Sequence, residues 1–365
     1  MARRFFATAL ALILVLSLAA CGGKTNDPPA EATPPATQDT GNDTQDTSGA
    51  APDYSGTSLT FASDAVGSSS YNIIVEMSKV LEEKGGFGNI DVSPTSPGGM
   101  GAPYLFAEGT GVDIAFVNAA PAKWARETGT LGRPPVSGCS PIAGGIQSSG
   151  CINCIHNEFL EKNNVSTIEE VFEKKLPLRI GCSAVGSMDA ECVVLLLEYF
   201  GVTEEDLNSW GGSVTHGGGS EIQDLMSDGQ IDFYLDHTSQ NSSTMAEIAM
   251  TQDVTFLQWG DDLINWFIQE KGFQTCYIPA GSFRGQDDEI RMPGSPDCIF
   301  VRSDMDEDIV YTITKVLCEN RDSLAAVYSS LEPWEVEKSC ESERIGGNAL
   351  HPGAEKYYRE MGYLT

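Results

Sequence analysis

Short apolar segments alternate with amphipathic segments of helix length along most of the chain. SLTFAS (58–63) has the length and composition of a β-strand, and the stretch after it has an apolar stripe at helical spacing. The alternation recurs at VDIAFVN (112–118), and again at LRIGCSAVG (178–186) followed by AECVVLLLEYFG. This pattern predicts an α/β fold in which helices cover the faces of a mostly parallel sheet.

The N-terminal region departs from this pattern. In residues 1–20, Arg3 and Arg4 precede an apolar run that is shorter than the roughly 20 residues needed to span a bilayer, which is typical of a secretory signal peptide. Residues 21–56 are mostly Pro, Thr, Asp and Gly, so they bury too little apolar surface to fold. We expect them to form a lipid-anchored disordered tether.

A single cysteine, Cys21, separates the two segments. Leu18-Ala19-Ala20-Cys21 resembles the bacterial lipobox, in which the chain is cut before a lipidated cysteine. The alternative is an ordinary cleavage site followed by an unrelated cysteine. The lipobox interpretation predicts lipidation at Cys21 and a location on the extracytoplasmic face of the cell membrane, which the protein contacts through its lipid only.

The charge balance excludes some partners. The chain has 52 acidic and 22 basic residues, a net charge of −30, so nucleic acids and anionic lipid surfaces are poor partners. The nine cysteines after Cys21 are an odd number, so they cannot all pair. We consider a disulfide from Cys151 or Cys154 to Cys298. A zinc site at Cys151, Cys154 and His156 is the weaker alternative, because no second ligand pair has zinc-like spacing, and we expect no metal or cofactor.

Two loops share one pattern. SDAVGSSSYN (63–72) and GCSAVGSMDAE (181–191) each follow a strand, contain small residues and lead into a helix. Backbone N–H groups at such a helix N-terminus can bind a carboxylate or a phosphate. The alternative is that Ser69, Ser70 and Ser187 are only helix N-caps. Because each half of the chain has one such loop, we expect the two loops to face each other across a cleft.

The body of the chain, from about Leu59 to Leu364, resembles the TAXI family, the substrate-binding proteins of TRAP transporters. The order and spacing of several segments carry the resemblance: the loop ending at Tyr71, GTGVDIAFVNAAPA, IGCSAVGSMDAECVVLLLEYFGVTEEDL, LMSDGQIDFYLD, YIPAGSFRGQDDEI, FVRSDMDEDIVYTITKVLCEN and LHPGAEKYYREMG.

The resemblance implies a two-lobed type II periplasmic-binding-protein fold with a hinge and an inter-lobe cleft. We assign residues 57–150 to lobe 1, 151–300 to lobe 2, and 301–365 to C-terminal helices that return to lobe 1. The hinge is expected near Gln147–Cys154 and again near Cys298–Ser303.

The resemblance also implies a binding protein rather than an enzyme. Such a protein captures a small carboxylate or amino acid, glutamate-like or 2-oxoglutarate-like, and delivers it to a membrane permease. The implied ligand-binding residues of lobe 1 are Ser69, Ser70, Tyr71 and Asn118. Those of lobe 2 are Gly186, Ser187, Asp189, Asp236 and Thr238.

The chain departs from the family pattern at two places. Asn72 replaces a second aromatic residue after Tyr71, and Met188-Asp189 replaces Gly-Thr after Gly186-Ser187. Asp189 would repel a dicarboxylate unless it caps a helix or pairs with a ligand ammonium group. This substitution favours an amino acid over a dicarboxylate.

Two other functions remain open. A receptor that reports a ligand to a sensor protein would have the same fold, and a neighbouring sensor-kinase gene rather than a permease gene would favour it. A surface serine hydrolase using Ser69 or Ser187 is the remote alternative, because the chain lacks a G-x-S-x-G motif and an evident base. The sequence leaves open whether His237 borders the cleft.

Overall fold

The computed structural model describes residues 53–63, 66, 68–96 and 99–365. The predicted signal peptide, Cys21 and the tether as far as residue 52 lie outside the described residues. The first strand begins at Tyr54, inside the range that we assigned to the tether. No helix in the described part of the chain is both long and apolar enough to cross a membrane.

Two β-sheets organise the described chain, which confirms the two-lobed α/β fold class. The first sheet contains five strands, in the order β2 (Phe87–Ser93), β1 (Tyr54–Ala62), β3 (Ile114–Asn118), β12 (Asp297–Arg302) and β4 (Cys139–Ala143). Strand β1 is parallel to β2 and β3, whereas β12 is antiparallel to β3 and β4.

Six helices accompany the first sheet in sequence, and together they form lobe 1. They are α1 (Ser69–Gly85), α2 (Ala102–Ala107), α3 (Ala119–Glu127), α11 (Glu307–Glu319), α12 (Arg321–Val327) and α13 (Pro352–Glu360). Short 3-10 turns at Ser329–Leu331, Val336–Lys338 and Ser342–Ile345 lie between the last two helices.

The second sheet and its helices form lobe 2. Its strand order is β10 (Gln274–Ile278), β11 (Ile290–Gly294), β5 (Gly150–His156), β8 (Phe233–Thr238), β6 (Arg179–Cys182) and β7 (Ser213–His216), with β9 (Val254–Thr255) paired to β5. Its helices are α4 (Asn157–Asn163), α5 (Ile168–Glu173), α6 (Met188–Tyr199), α7 (Glu204–Ser209), α8 (Gly219–Ser227), α9 (Ser243–Thr251) and α10 (Asp261–Lys271).

The central strands of the lobe 1 sheet, β3 and β12, are buried on both faces, which accounts for their nearly continuous apolar sequences. In β12, Ile299 and Val301 join the cluster that includes α1, α11 and α13, whereas Cys298 and Phe300 join the cluster on the opposite face. This alternation follows the two-residue period of a β-strand. Helices therefore cover both faces of the sheet, but they do not cover the carboxyl ends of its parallel strands.

Two short crossovers connect the lobes. The chain leaves lobe 1 between β4 and β5, at residues 144–149, and returns between β11 and β12, at residues 295–296. We expected the second crossover at Cys298–Ser303, but the chain crosses earlier, at residues 295–296. Residues 297–300, which we assigned to lobe 2, belong to β12 of the lobe 1 sheet.

The nine described cysteines are all free thiols. The Sγ atoms of Cys151 and Cys192 are 3.3 Å apart within lobe 2, whereas Cys298 Sγ lies 2.9 Å from the carbonyl oxygen of Arg344 in lobe 1. The disulfide that we considered between Cys151 or Cys154 and Cys298 is therefore wrong, because the partners belong to different sheets. Burial raises the pKa of Cys154 to about 12, which favours the unreactive thiol form.

Helix α6 provides a test of core packing in lobe 2. Leu196 is 0% exposed and Val194, on the same helix, is 47% exposed. We expect Leu196→Ala to lower the free energy of unfolding by about 2–5 kcal/mol, because it leaves a cavity. Val194→Ala should change it by less than about 0.5 kcal/mol. Urea unfolding followed by circular dichroism measures both values, and equal losses would contradict the packing.

Candidate functional site

A cavity of about 980 Å³ lies between the two lobes. Serine is its commonest lining residue, and the wall includes both loops that share the small-residue pattern. Ser69 and Ser70 come from the lobe 1 loop, and Ser183 and Ser187 come from the lobe 2 loop. The two loops therefore face a common cavity, as their shared pattern predicts.

In the described chain, four helices contribute their first residue to the wall of this cavity: α1, α6, α8 and α9. The side chains of Ser68, Ser187 and Ser242 cap α1, α6 and α9, so the N-cap interpretation is right for Ser187 and applies to Ser68 rather than to Ser69 or Ser70. Helix α8 follows Gly218 and has no side-chain cap. The positive ends of four helix dipoles thus lie around the cavity.

A polar cluster forms the base of the cavity, where the chain crosses between the lobes. Asp297, the first residue of β12, accepts hydrogen bonds from Asn118 Nδ2 (2.6 Å) and Ser149 Oγ (3.1 Å). In the other crossover segment, Ser295 Oγ accepts a hydrogen bond from the backbone N–H of Ala120 (2.9 Å). These contacts join β3, α3 and both crossovers at one point.

Asp189 and Asp236 bring two carboxyl groups together in the lobe 2 wall of the cavity. Asp189 Oδ1 accepts a hydrogen bond from the backbone N–H of His237 (2.6 Å), so its carboxyl group lies beside the end of β8. The carboxyl group of Asp236 is within hydrogen-bonding reach of that of Asp189. Burial raises the pKa of Asp236 well above its ordinary value, and the charge of Asp189 raises it further.

His237 does not neutralise this carboxyl pair. Its Nε2 accepts a hydrogen bond from the backbone N–H of Ser295 (3.2 Å), so that nitrogen has no proton. Burial lowers the pKa of His237 to about 4, although the charge of Asp189 opposes the change. The ring is therefore neutral at physiological pH, and it borders the cavity.

The charged side chains around the cavity are all acidic. Among the described residues that line it, Asp189, Asp236 and Asp297 are the ionisable carboxyl groups, and neither lysine nor arginine is present. Positive potential reaches the cavity from helix N-termini and backbone N–H groups rather than from cationic side chains.

The family model of the NMT1-like family matches residues 61–362. The chain belongs to the NMT1-like family. Among solved structures it is similar to PhnD1 from Prochlorococcus marinus in complex with methylphosphonate, with 12% identity, 84% of this chain and 99% of that chain covered, and a TM-score of 0.51. MatC from Rhodopseudomonas palustris with bound malate is similar at 12% identity, with 84% of this chain and 96% of that chain covered and a TM-score of 0.46.

These relationships agree with the architecture of this NMT1-like chain. The two lobes, the paired crossovers and the cavity between the sheets form a periplasmic-binding-protein fold. The similarity to PhnD1 therefore supports the two-lobed fold that the sequence predicts.

Seven of the nine predicted ligand-binding residues line the cavity: Ser69, Ser70, Asn118, Ser187, Asp189, Asp236 and Thr238. Tyr71 and Gly186 are not among the lining residues. The backbone N–H of Tyr71 donates to Ser68 Oγ, and Gly186 has a φ of 90°, which places it in the left-handed region that favours glycine. Gly186 therefore shapes the loop whose next residue, Ser187, lines the cavity.

The structure adds lining residues that the sequence argument missed. Gly217–Gly219 connect β7 to α8, and they have the same small-residue pattern as the two serine loops, so the signal was present. Tyr328–Ser330 come from the C-terminal part of lobe 1, and no local pattern marks them. Asn241 Nδ2 of lobe 2 donates a hydrogen bond to Ser329 Oγ of lobe 1 (3.3 Å), so the two lobes are in contact at this segment.

Replacing Asp236 tests the cost of its burial. Because its folded-state pKa is raised, its contribution to stability is fully present below the ordinary Asp pKa and is lost as the pH rises through the folded value. Asp236→Asn should therefore be more stable than the wild type at pH 8, by about 1–3 kcal/mol, the usual cost of a poorly satisfied buried polar group.

Urea unfolding at pH 4 and pH 8 measures this difference, which should shrink at the lower pH. Asp287→Asn is the matched control, because it removes the same charge from an exposed position in lobe 2. An Asp236→Asn variant no more stable than this control at pH 8 would contradict the prediction.

Proposed function

We propose that this NMT1-like protein is the TAXI-type solute-binding component of a TRAP transporter. It captures a small carboxylate-bearing solute, an amino acid in preference to a dicarboxylate, and delivers it to the membrane permease. The observation that carries the proposal is the cavity between the lobes, to which each lobe contributes a serine loop at a helix N-terminus.

Contacts from both lobes give the ligand a means of closing the protein. A ligand that touches Ser69 or Ser70 on one side and Ser187 on the other binds better when the lobes approach, and this differential affinity shifts the population toward the closed form. The crossovers at 144–149 and 295–296 are short enough to act as a hinge. Closure would also reduce a volume that lies at the upper end of the roughly 300–1,000 Å³ usual for ligand pockets.

The helix N-termini favour a carboxylate in one part of the cavity. Helix α8 begins after Gly217 and Gly218, which have no side chain to obstruct an approaching ligand, and its N-cap residue supplies no capping side chain. Backbone N–H groups in this arrangement bind anionic groups without a cationic side chain.

Asp189 and Asp236 favour an ammonium group in another part of the cavity. Asp189 and Asp236 are adjacent in the lobe 2 wall, and no lysine or arginine stands among the described lining residues. A second ligand carboxylate placed there would be repelled, whereas an ammonium group would gain charge-assisted hydrogen bonds. An amino acid has both required groups.

Calorimetric titration of the purified full-length chain with L-glutamate, L-glutamine, neutral amino acids and 2-oxoglutarate tests this proposal. L-glutamate and 2-oxoglutarate are a matched pair, because an ammonium group in one is replaced by a keto group in the other. We expect an amino acid to bind at least about tenfold more tightly than the keto acid, since a hydrogen bond to a charged group is worth about 1.5–3 kcal/mol.

The titration tests the class of ligand and the solute-binding role separately. Tight binding of 2-oxoglutarate alone would reject the ammonium argument and leave a solute-binding protein for carboxylates. Absence of binding to every solute in the panel, with the folded state confirmed by circular dichroism, would count against the capture of amino acids or small carboxylates.

We also propose that the protein is a lipoprotein anchored through Cys21 on the extracytoplasmic face of the membrane. The support is the sequence Leu18-Ala19-Ala20-Cys21 after an apolar segment and before a polar one. A lipid anchor on a long polar segment would keep the binding lobes near the permease.

Replacement of Cys21 tests the anchor in cells labelled with a fatty-acid analogue. Cys21→Ser should lose essentially all of the label and keep its signal segment, which mass spectrometry detects. Cys139→Ser, a cysteine change within lobe 1, is the control and should retain the label. A labelled Cys21→Ser protein, or an unlabelled wild type, would refute lipidation at this residue.

A further inference from the structure

We propose that the Asp189–Asp236 pair shares one proton in the ligand-free protein and exchanges it for the ammonium group of the ligand. The site would then bind amino acids with release of a proton, and acid would weaken binding. This inference rests on the proposed function, because it concerns how the same cavity recognises its ligand.

The geometry holds the two carboxyl groups together whether or not a ligand is present. Asp236 is 9% exposed and lies near the end of the central strand β8, while Asp189 is in the first turn of α6. The 2.6 Å hydrogen bond from the His237 backbone N–H fixes Asp189 Oδ1 beside that strand. Neither carboxyl group can move away from the other without breaking a contact made by the backbone or by the core.

The strands around the Asp189–Asp236 pair supply no positive charge to balance it. Strand β8 contributes Tyr234, a buried phenol on the same face of the strand as Asp236, and the neutral His237. Strands β5 and β6 contribute the buried thiols of Cys154 and Cys182, and burial raises the pKa of each to about 12.

The adjoining helices α6 and α8 supply no positive charge to the pair either. Helix α6 adds Cys192, another buried thiol, and α8 presents Ile222 and Met226, while its acidic residues are exposed. Asp297, across the same cavity, is acidic. Two adjacent carboxylates in such surroundings retain a proton unless another cation takes its place.

The exchange conserves atoms and charge. The O–H bond of the protonated carboxyl group breaks, the proton passes to water or buffer, and the ligand's R–NH₃⁺ donates its own hydrogen bonds to the two carboxylates. The net charge of the pair and its bound cation is unchanged. The hydrogen bond from His237 N–H to Asp189 remains available in both states, so the backbone need not rearrange.

Calorimetry in buffers of different ionisation enthalpy measures the released proton. With L-glutamate and L-glutamine as probes between pH 5.5 and 8, the charge of each probe is constant, so any proton release belongs to the protein. We expect about one proton released per ligand in the acidic part of this range. The apparent Kd should rise up to about tenfold for each unit that the pH falls, as one-proton linkage requires. Binding of 2-oxoglutarate, which lacks the ammonium group, should release none.

Asp236→Asn and Asp287→Asn form a matched pair of variants. Asp236→Asn should abolish proton release and flatten the pH dependence of any binding that remains, whereas the exposed Asp287→Asn should behave as the wild type. Because Asp236→Asn could lose binding altogether, infrared spectroscopy of the ligand-free proteins at pH 7 provides a second measurement. The carbonyl band of a protonated carboxyl group should be present in the wild type and in Asp287→Asn and absent from Asp236→Asn.

The results distinguish this inference from the proposed function. Tight amino-acid binding without proton release, or the absence of the protonated-carboxyl band, overturns the shared proton and leaves the solute-binding role intact. Binding of 2-oxoglutarate alone overturns the ammonium ligand and, with it, the exchange.

Discussion

The two crossovers at 144–149 and 295–296 are the constraint on which the site depends. They are the connections between the two sheets of the described chain, and Asp297 joins them through hydrogen bonds from Asn118 and Ser149. A half-buried carboxylate with these donors is satisfied without a cation, so the base of the cavity can be polar and still well ordered. In the proposed function, the walls above it would separate or approach as the lobes turn about this point.

The sequence was sufficient where local pattern and tertiary structure agree. Apolar strands followed by small-residue loops and capped helices predicted β1–α1 and β6–α6, and those loops meet at the cavity because parallel strands point their carboxyl ends to one side. Strand β12 could not be assigned in the same way. Its apolar run fits either sheet, and only its antiparallel pairing with β3 and β4 places it in lobe 1. Tyr328–Ser330 reach the cavity through the return of the chain, which no local pattern records.

Charge in the cavity comes from two different sources, and this difference bears on selectivity. The positive potential is diffuse, because it arises from the N-termini of α1, α6, α8 and α9, whereas the acidic side chains among the described lining residues are confined to Asp189, Asp236 and Asp297. A carboxylate can be accepted at several serine-lined positions, but a cationic group has a single pair of adjacent carboxyl groups in lobe 2. The orientation of a zwitterionic ligand would therefore be set by its ammonium end, while the amide-lined loops would accommodate carboxylates at different distances.

His237 connects that pair to the hinge. Its backbone N–H binds Asp189 in the cavity wall, and its Nε2 accepts the N–H of Ser295 in the returning crossover. A neutral ring is required for the second contact, because a protonated Nε2 would be a donor facing another donor. Burial, which lowers the pKa of His237 to about 4, preserves this contact over the pH range in which the neighbouring carboxyl pair would exchange its proton. The carboxyl pair can thus change its occupant while the hinge keeps the same hydrogen bonds, so a change of pH would alter ligand affinity at the pair without loosening the connection between the lobes.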